Sequence, residues 1–227
     1  MLKCQFHIHV SGDPEHHHSY SAQDLIKKAE QLNYDVLAVT CHNKIIFTKA
    51  LQNYAKQHNI ILIPGIELSI NHKHILCINI DSEIEKIKTF QELREYKKSH
   101  PGCLIIAPHP FFPGKIALKE KLIENIDIFD AIETSFCYTK SKNYNLKAIK
   151  LAEKYSLPLI ATSDCHFLEN LDLGYTTINS SKNIQSIIKS IKQNKIKIYS
   201  SPVTYSKIIK IFCKMGLSAL KKRFSKA

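Results

Sequence analysis

Short apolar and β-branched runs recur at residues 4–10, 35–40, 60–64, 75–80, 104–108, 128–134 and 157–162, and each predicts a buried strand. Helical patterns lie between most of them. The stretch 22–32 sets Leu25, Ile26, Ala29 and Leu32 on one face, and 44–58, 83–98, 115–124 and 143–155 are further predicted helices. Strand followed by helix, repeated along the chain, predicts an α/β fold with a parallel sheet, which is most economically closed into a (β/α) barrel.

The texture changes after Asp172. Residues 180–194 read as an amphipathic helix and 195–200 as a short strand. Pro202 then opens a basic helix over 203–224, where Tyr205, Ile208, Ile209, Phe212, Met215 and Ala219 follow helical spacing and Lys207, Lys210, Lys214 and Lys221 lie on another side. The stripe is expected to pack on the parent domain; a membrane surface or a partner is the alternative. The predicted organisation is a barrel over 1–200 and a basic amphipathic helix over 201–227.

Charge sharpens this division. Residues 1–172 carry 20 Lys+Arg and 20 Asp+Glu, whereas 173–227 carry 12 basic residues and no acidic one. Such a block suits a polyanion as partner, or a solvated helix face. Seven scattered cysteines without a C-x-x-C pair point to free thiols rather than a disulfide framework or a zinc knuckle. With only six glycines and no glycine-rich loop, a P-loop or dinucleotide fingerprint is excluded. No transmembrane segment is expected, because no apolar run approaches the roughly 18 residues that would cross a bilayer. Residues 1–4 show no cleavable leader pattern, and a cytoplasmic protein is expected.

The histidines carry the chemistry. His7 and His9 fall in Phe-His-Ile-His-Val, His42 follows Leu-Ala-Val-Thr-Cys, and Glu67 sits in Pro-Gly-Ile-Glu-Leu. His74 opens His-Ile-Leu, His109 lies in Ala-Pro-His-Pro, and Asp164 and His166 in Thr-Ser-Asp-Cys-His. Strand ends of a barrel converge on one mouth. Residues two apart on a strand share a face, so His-x-His can offer both rings to one ion. Imidazoles and carboxylates without a thiolate set suit zinc, manganese or iron in a hydrolytic site. A lone strand histidine is usually a hydrogen-bonded core residue; repetition at several strand ends argues for a metal site.

Taken in order, Phe6-His7-Ile8-His9, Ala38-Val39-Thr40-Cys41-His42-Asn43, Pro64-Gly65-Ile66-Glu67, His74-Ile75-Leu76, Ala107-Pro108-His109-Pro110 and Ser163-Asp164-Cys165-His166 resemble the PHP family, named for polymerase and histidinol phosphatase. The resemblance spans about residues 3–200. It implies a distorted seven-stranded (β/α) barrel with two or three divalent metal ions that hydrolyses phosphate esters through metal-activated water. Carried over, His7, His9, Glu67 and Asp164 would hold one ion. His42 and His166 with a ligand from the first motif would hold a second, and His74 and His109 with bridging Glu67 a third. Counting twelve residues back from Ala29 selects His17 for the first motif, with His16 and His18 flanking it. Asp164, His166 and Glu67 are the implied catalytic residues. The chain departs from the family at Gln5 and Cys41, where aspartate is usual; both are expected to orient ligands rather than bind metal.

Glu133 lies at another predicted strand end, where it could position substrate or water, and Lys140 and Lys142 could meet phosphate. Cys165 should point away from the metal face and is not expected to be a nucleophile. Three readings follow: a phosphatase acting on a phosphorylated small molecule, which is slightly favoured; a nuclease acting on single-stranded or short oligonucleotides through the basic C-terminal segment; or a catalytically silent metal-binding module.

Overall fold

The structure, a computed structural model, describes residues 1–224, so the last three residues of the predicted C-terminal unit lie outside the described residues. The chain runs β1 (Leu2–Gln5), α1 (Ala22–Gln31), β2 (Val36–Val39), α2 (Lys49–Gln57), β3 (Ile61–Ile70), β4 (Lys73–Ile78), α3 (Phe90–Ser99), β5 (Leu104–Ala107) and α4 (Glu120–Glu124). It continues with β6 (Ala131–Ser135), α5 (Asn145–Tyr155), β7 (Leu159–Thr162), β8 (Gly174–Ile178), α6 (Ile184–Lys192), β9 (Ile196–Ser200) and α7 (Tyr205–Phe224). Helix starts follow local chemistry: Ser21 and Thr89 form capping boxes with Asp24 and Glu92, and the Asn183 side chain accepts from Ser186 N–H.

The predicted barrel is present with more strands than the seven apolar runs. One sheet has the order β7-β6-β5-β4-β3-β2-β1-β8-β9. Alternate residues of its strands, among them Cys4, Ala38, Ile63, Leu76, Ile106, Ala131 and Ile160, meet in one buried cluster, with Ile187 and Ile191 of α6 packed onto it. Closure comes from short links: Ile8 bridges Cys165 in parallel through His9 N–H to Cys165 O and Cys165 N–H to His7 O, both 3.0 Å. Below them the Thr176 hydroxyl spans the Ala161 N–H and carbonyl, each at 3.0 Å.

The sheet is mixed, contrary to the parallel expectation. β3 and β4 form an antiparallel hairpin, and β4 is also antiparallel to β5. Only Asn71 and His72 link the hairpin, both at positive φ (49° and 62°), and two residues cannot carry a parallel crossover. β8, antiparallel to β1, was not among the expected strands.

Gly174 opens β8 in close backbone approach. A Cβ there would stand 2.7 Å from Thr162 O, while its own carbonyl accepts from Gln5 Nε2 at 2.7 Å. Gly174→Ala is expected to destabilise the fold by about 1–3 kcal/mol, seen as a lower midpoint in a thermal melt; an unchanged midpoint would show that the strand shifts freely.

Helix α7 lies across the loops that follow β1, β6 and β7. Ser218 Oγ donates to His17 O (2.5 Å), Tyr205 Oη pairs with Ser141 Oγ (2.9 Å), and Lys214 pairs with Glu169 (2.6 Å). Its inward face is built around Ile211 and Ser218. Tyr205, Ile209 and Phe212 of the expected packing stripe are instead 52–61% exposed, because the helix is rotated toward its lysine-flanked side. No helix among the described residues is long and apolar enough to cross a membrane. All seven cysteines are free, as expected.

Candidate metal centre

Eight side chains from distant parts of the sequence converge at the mouth: His7, His9, His18, His42, Glu67, His74, His109 and His166, each at most 6% exposed. Asp164 joins them with a partly exposed carboxylate. β4 delivers His74 from its first turn because the strand runs backward, so its start rather than its end faces the mouth. Glu67 lies within the long β3, opposite Leu76, and not at its end.

The tightest convergence involves four residues. His7 Nε2 and His9 Nε2 each lie 3.3 Å from Glu67 Oε2 and 3.3 Å from Asp164 Oδ1. A spacing of 3.3 Å is the edge of a tetrahedron with vertices about 2.0 Å from its centre, the nitrogen and oxygen distance of a zinc-like ion. Neither imidazole Nε2 nor Asp164 Oδ1 has a hydrogen-bond partner, although all are buried. Unpaired buried polar atoms are costly, and several aimed at one point fit a bound cation.

Glu67 reaches further with both oxygens. Oε2 also lies 3.2 Å from His42 Nε2, while Oε1 lies 2.8 Å from His74 Nδ1 and 3.2 Å from His109 Nε2. Burial alone would raise its pKa, but the facing His74, His7 and His42 hold its carboxyl well below the usual range. Asp164 is likewise pushed up by desolvation and drawn well below its usual value by His7 and His166. Burial alone would lower the His7 pKa; Asp164, Glu67 and Glu133 together raise it well above the usual value. These carboxylates therefore favour positive charge where the ring nitrogens meet.

The far nitrogens of the rings are tied down. Glu133 Oε1 pairs with His7 Nδ1 (2.8 Å) and takes the Thr162 hydroxyl, while Oε2 accepts the His109 N–H (2.6 Å). Glu133 is fully buried in these contacts, which hold the His7 ring and the His109 backbone in place. Asp13 was not singled out in the sequence, yet it serves two rings: Oδ2 lies 3.0 Å from His9 Nδ1 and 2.9 Å from His42 Nδ1. Its oxygens also accept the N–H groups of His42, Glu15 and His16. Such partners fix the tautomer and aim of a metal-ligating imidazole. His18 Nδ1 and His166 Nδ1 pair with backbone carbonyls, leaving both Nε2 atoms buried and unpartnered.

The structure does not bring His17 into this group. Its ring is exposed, and its backbone pairs with Ser218 of α7. His16 and His18 face the cluster instead, with ring centroids 5.0 and 5.5 Å from His166. Burial, then the neighbouring His166, lowers their pKa values to about 4 and about 3, which keeps both imidazoles neutral and able to ligate. Of the two departures, Gln5 braces backbone: its amide donates to Leu171 O and Gly174 O and accepts from Ser163 N–H, beside Asp164. Cys41 is buried with its thiol at the Val10 N–H. Burial above all pushes the Cys165 thiol up to about 12. His109 and Asp164 both hold positive φ (30° and 41°), a strained conformation for non-glycine residues that clusters at functional sites.

A mixed-sheet barrel thus carries at its mouth a buried cluster of imidazoles and carboxylates that could hold metal ions. A family model described as PHP-associated matches residues 142–196. Two uncharacterised proteins of Methanocaldococcus jannaschii are similar in sequence. One is 28% identical over 116 residues (48% of this chain, 66% of that protein), the other 26% over 182 residues (77% and 69%). The matches thus span about two thirds of these relatives' length. Among solved structures, a two-domain protein from Bacteroides vulgatus containing a predicted PHP-like metal-dependent phosphoesterase superposes with TM-score 0.70 at 18% identity, covering 94% of this chain and 69% of that one. The lesion-specific endonuclease Q of Pyrococcus furiosus gives 0.63 at 14%, covering 92% and 66%. The chain has the fold of PHP-like metal-dependent phosphoesterases, and the segment matched by the PHP-associated model includes Asp164 and His166.

Proposed function

We propose that this centre holds two or three divalent ions (zinc, manganese or iron) and hydrolyses a phosphate ester with activated water. The observation that carries the reading is the meeting of His7, His9, Glu67 and Asp164 at 3.3 Å spacings, with both imidazole Nε2 atoms and Asp164 Oδ1 buried and without a hydrogen-bond partner. His74 and His109 with Glu67 Oε1 would hold a second ion, and His42 and His166 with His16 or His18, in place of His17, a third. Divalent ions bound there supply positive charge to phosphate oxygens and lower the pKa of coordinated water to about 7.

The protein's own residues supply the rest. Asp13 and Glu133 hold three rings at fixed aim. The Asp164 carboxylate, held ionised and partly open to the mouth, would take a proton from the attacking water. A phosphorylated small molecule is the favoured substrate. A nuclease reading has one specific support, the likeness of the fold to endonuclease Q, solved in complex with duplex DNA carrying an abasic lesion. The convergent ligand set, with His16 or His18 taking the place of His17, speaks against a silent module. Asp164→Asn keeps the side chain's shape and removes its charge. It is expected to lower turnover of p-nitrophenyl phosphate and bis-p-nitrophenyl phosphate with added Mn²⁺ by about 100-fold or more. Full activity in this variant would overturn the reading.

A further inference from the structure

Helix α7 and the single 3₁₀ turn Leu168–Asn170, which follows Asp164 and His166 in the chain, enclose a groove of about 460 Å³. Lys207, Lys210, Lys214, Glu169 and Asn170 line it, together with the buried Ile211. Positions 207, 210 and 214 stand three and four residues apart, so helical spacing gathers their side chains on one flank of α7. That helix has no acidic residue to offset them.

Two features of the groove point to a ligand. The first is unmatched charge. Glu169 is the one carboxylate in the lining, and it pairs with Lys214 (2.6 Å), whose Nζ also lies 5.2 Å from the Phe167 ring. Lys207 and Lys210 pair with no carboxylate among the described residues, so three ammoniums against one carboxylate leave a local charge of +2. The second is a buried amide. Asn170 is only 6% exposed, and its main chain is fixed: its N–H donates to Phe167 O (2.8 Å) and its carbonyl accepts from Leu173 N–H (3.1 Å). Its side chain has no hydrogen-bond partner among the described residues. Buried polar groups are nearly always paired. An anion in the groove would accept from this amide and from the lysines that share the space.

We propose that the groove between α7 and the turn after β7 is a binding site for one small dianion of the phosphate class, either inorganic phosphate or the phosphoryl group of a monoester. A dianion matches the charge of +2, which a neutral sugar or a cation does not, and the volume is that of a small-molecule site. Lysine meets phosphate as a point charge, and the Asn170 amide adds a directional donor. The bound anion would join α7 to the segment that follows Asp164 and His166. The site is separate from the metal centre and does not depend on turnover there.

Calorimetric titration of the Mn²⁺-loaded full chain with inorganic phosphate tests it. Phosphate also binds metal ions, so wild type is compared with His9→Ala, and the groove is read as the binding that persists in that variant. In the double variant Lys207→Ala, Lys210→Ala this binding is expected to weaken about tenfold or more, as loss of bonds to a charged group requires. Asn170→Asp sets a carboxylate where the amide donates and should abolish it. Glu169→Gln removes the competing carboxylate and should tighten binding severalfold, a gain that damage to the fold cannot produce. Titration of His9→Ala with glycerol 3-phosphate then separates the two sources: the tighter of the two ligands names the one the groove is built for. Phosphate binding that disappears in His9→Ala, or that keeps its wild-type affinity in the lysine double variant, would overturn the proposal.

Discussion

Glu67→Gln is expected to abolish phosphoesterase turnover and to reduce the number of divalent ions bound per chain. No other side chain in the centre faces as many partners: Oε2 looks at His7, His9 and His42, and Oε1 at His74 and His109. Loss of a residue that only orients a ligand costs about 10- to 100-fold in affinity or activity. A carboxylate shared by two candidate ion positions should cost more, on the order of 10³-fold, since the change removes negative charge from both and an oxygen ligand from one of them. The amide keeps the volume and one oxygen, so the fold should survive. Metal content by mass spectrometry and turnover, measured on the same sample, check this; a variant that binds and hydrolyses like wild type would remove Glu67 from the centre.

Asp13→Ala is the second large effect, and it should act through other residues. The change strips the Nδ1 partners of His9 and His42 and leaves the N–H groups of His42, Glu15 and His16 without the carboxylate they donate to. Ion affinity is expected to fall about 10- to 100-fold. Each buried donor left unpaired adds about 1–3 kcal/mol of instability, so the melting temperature should drop as well. Asp13→Asn, which keeps an acceptor oxygen, should recover part of both losses. Unchanged ion affinity with a lower melting temperature would make Asp13 a loop brace and nothing more.

Much of this centre was legible because its ligands sit in strand patterns. His7 and His9 keep the period of two even though the β1 ladder ends at Gln5, since the Ile8 bridge to Cys165 continues the strand geometry. The same period applied to the tract 16–18 would have favoured the outer pair over His17, and the structure turns that pair inward. Asp13 was hidden because a loop carboxylate acting on ring nitrogens shares no spacing with the ligands; its place four residues after His9 was the only signal. Glu133 showed itself as an acidic residue inside an apolar strand, but its role depended on which ring it met. β8 escaped notice because Thr176 and Thr177 interrupt an apolar reading, although Thr176 is buried against Ala161. The reversed β4 could not be inferred from hydrophobicity, which is blind to strand direction; the two-residue link at Asn71 and His72 carried that information.

The central claim is that these imidazoles and carboxylates form an ion-binding centre that hydrolyses phosphate esters. Its most direct test is to titrate metal-stripped protein with Mn²⁺ or Zn²⁺, reading bound ions per chain and turnover of a phosphomonoester and a phosphodiester in the same samples, with His9→Ala alongside. Two or three ions per chain, turnover that rises with occupancy, and loss of both in His9→Ala is the predicted result. Turnover in the stripped protein, or full turnover in His9→Ala, would contradict it.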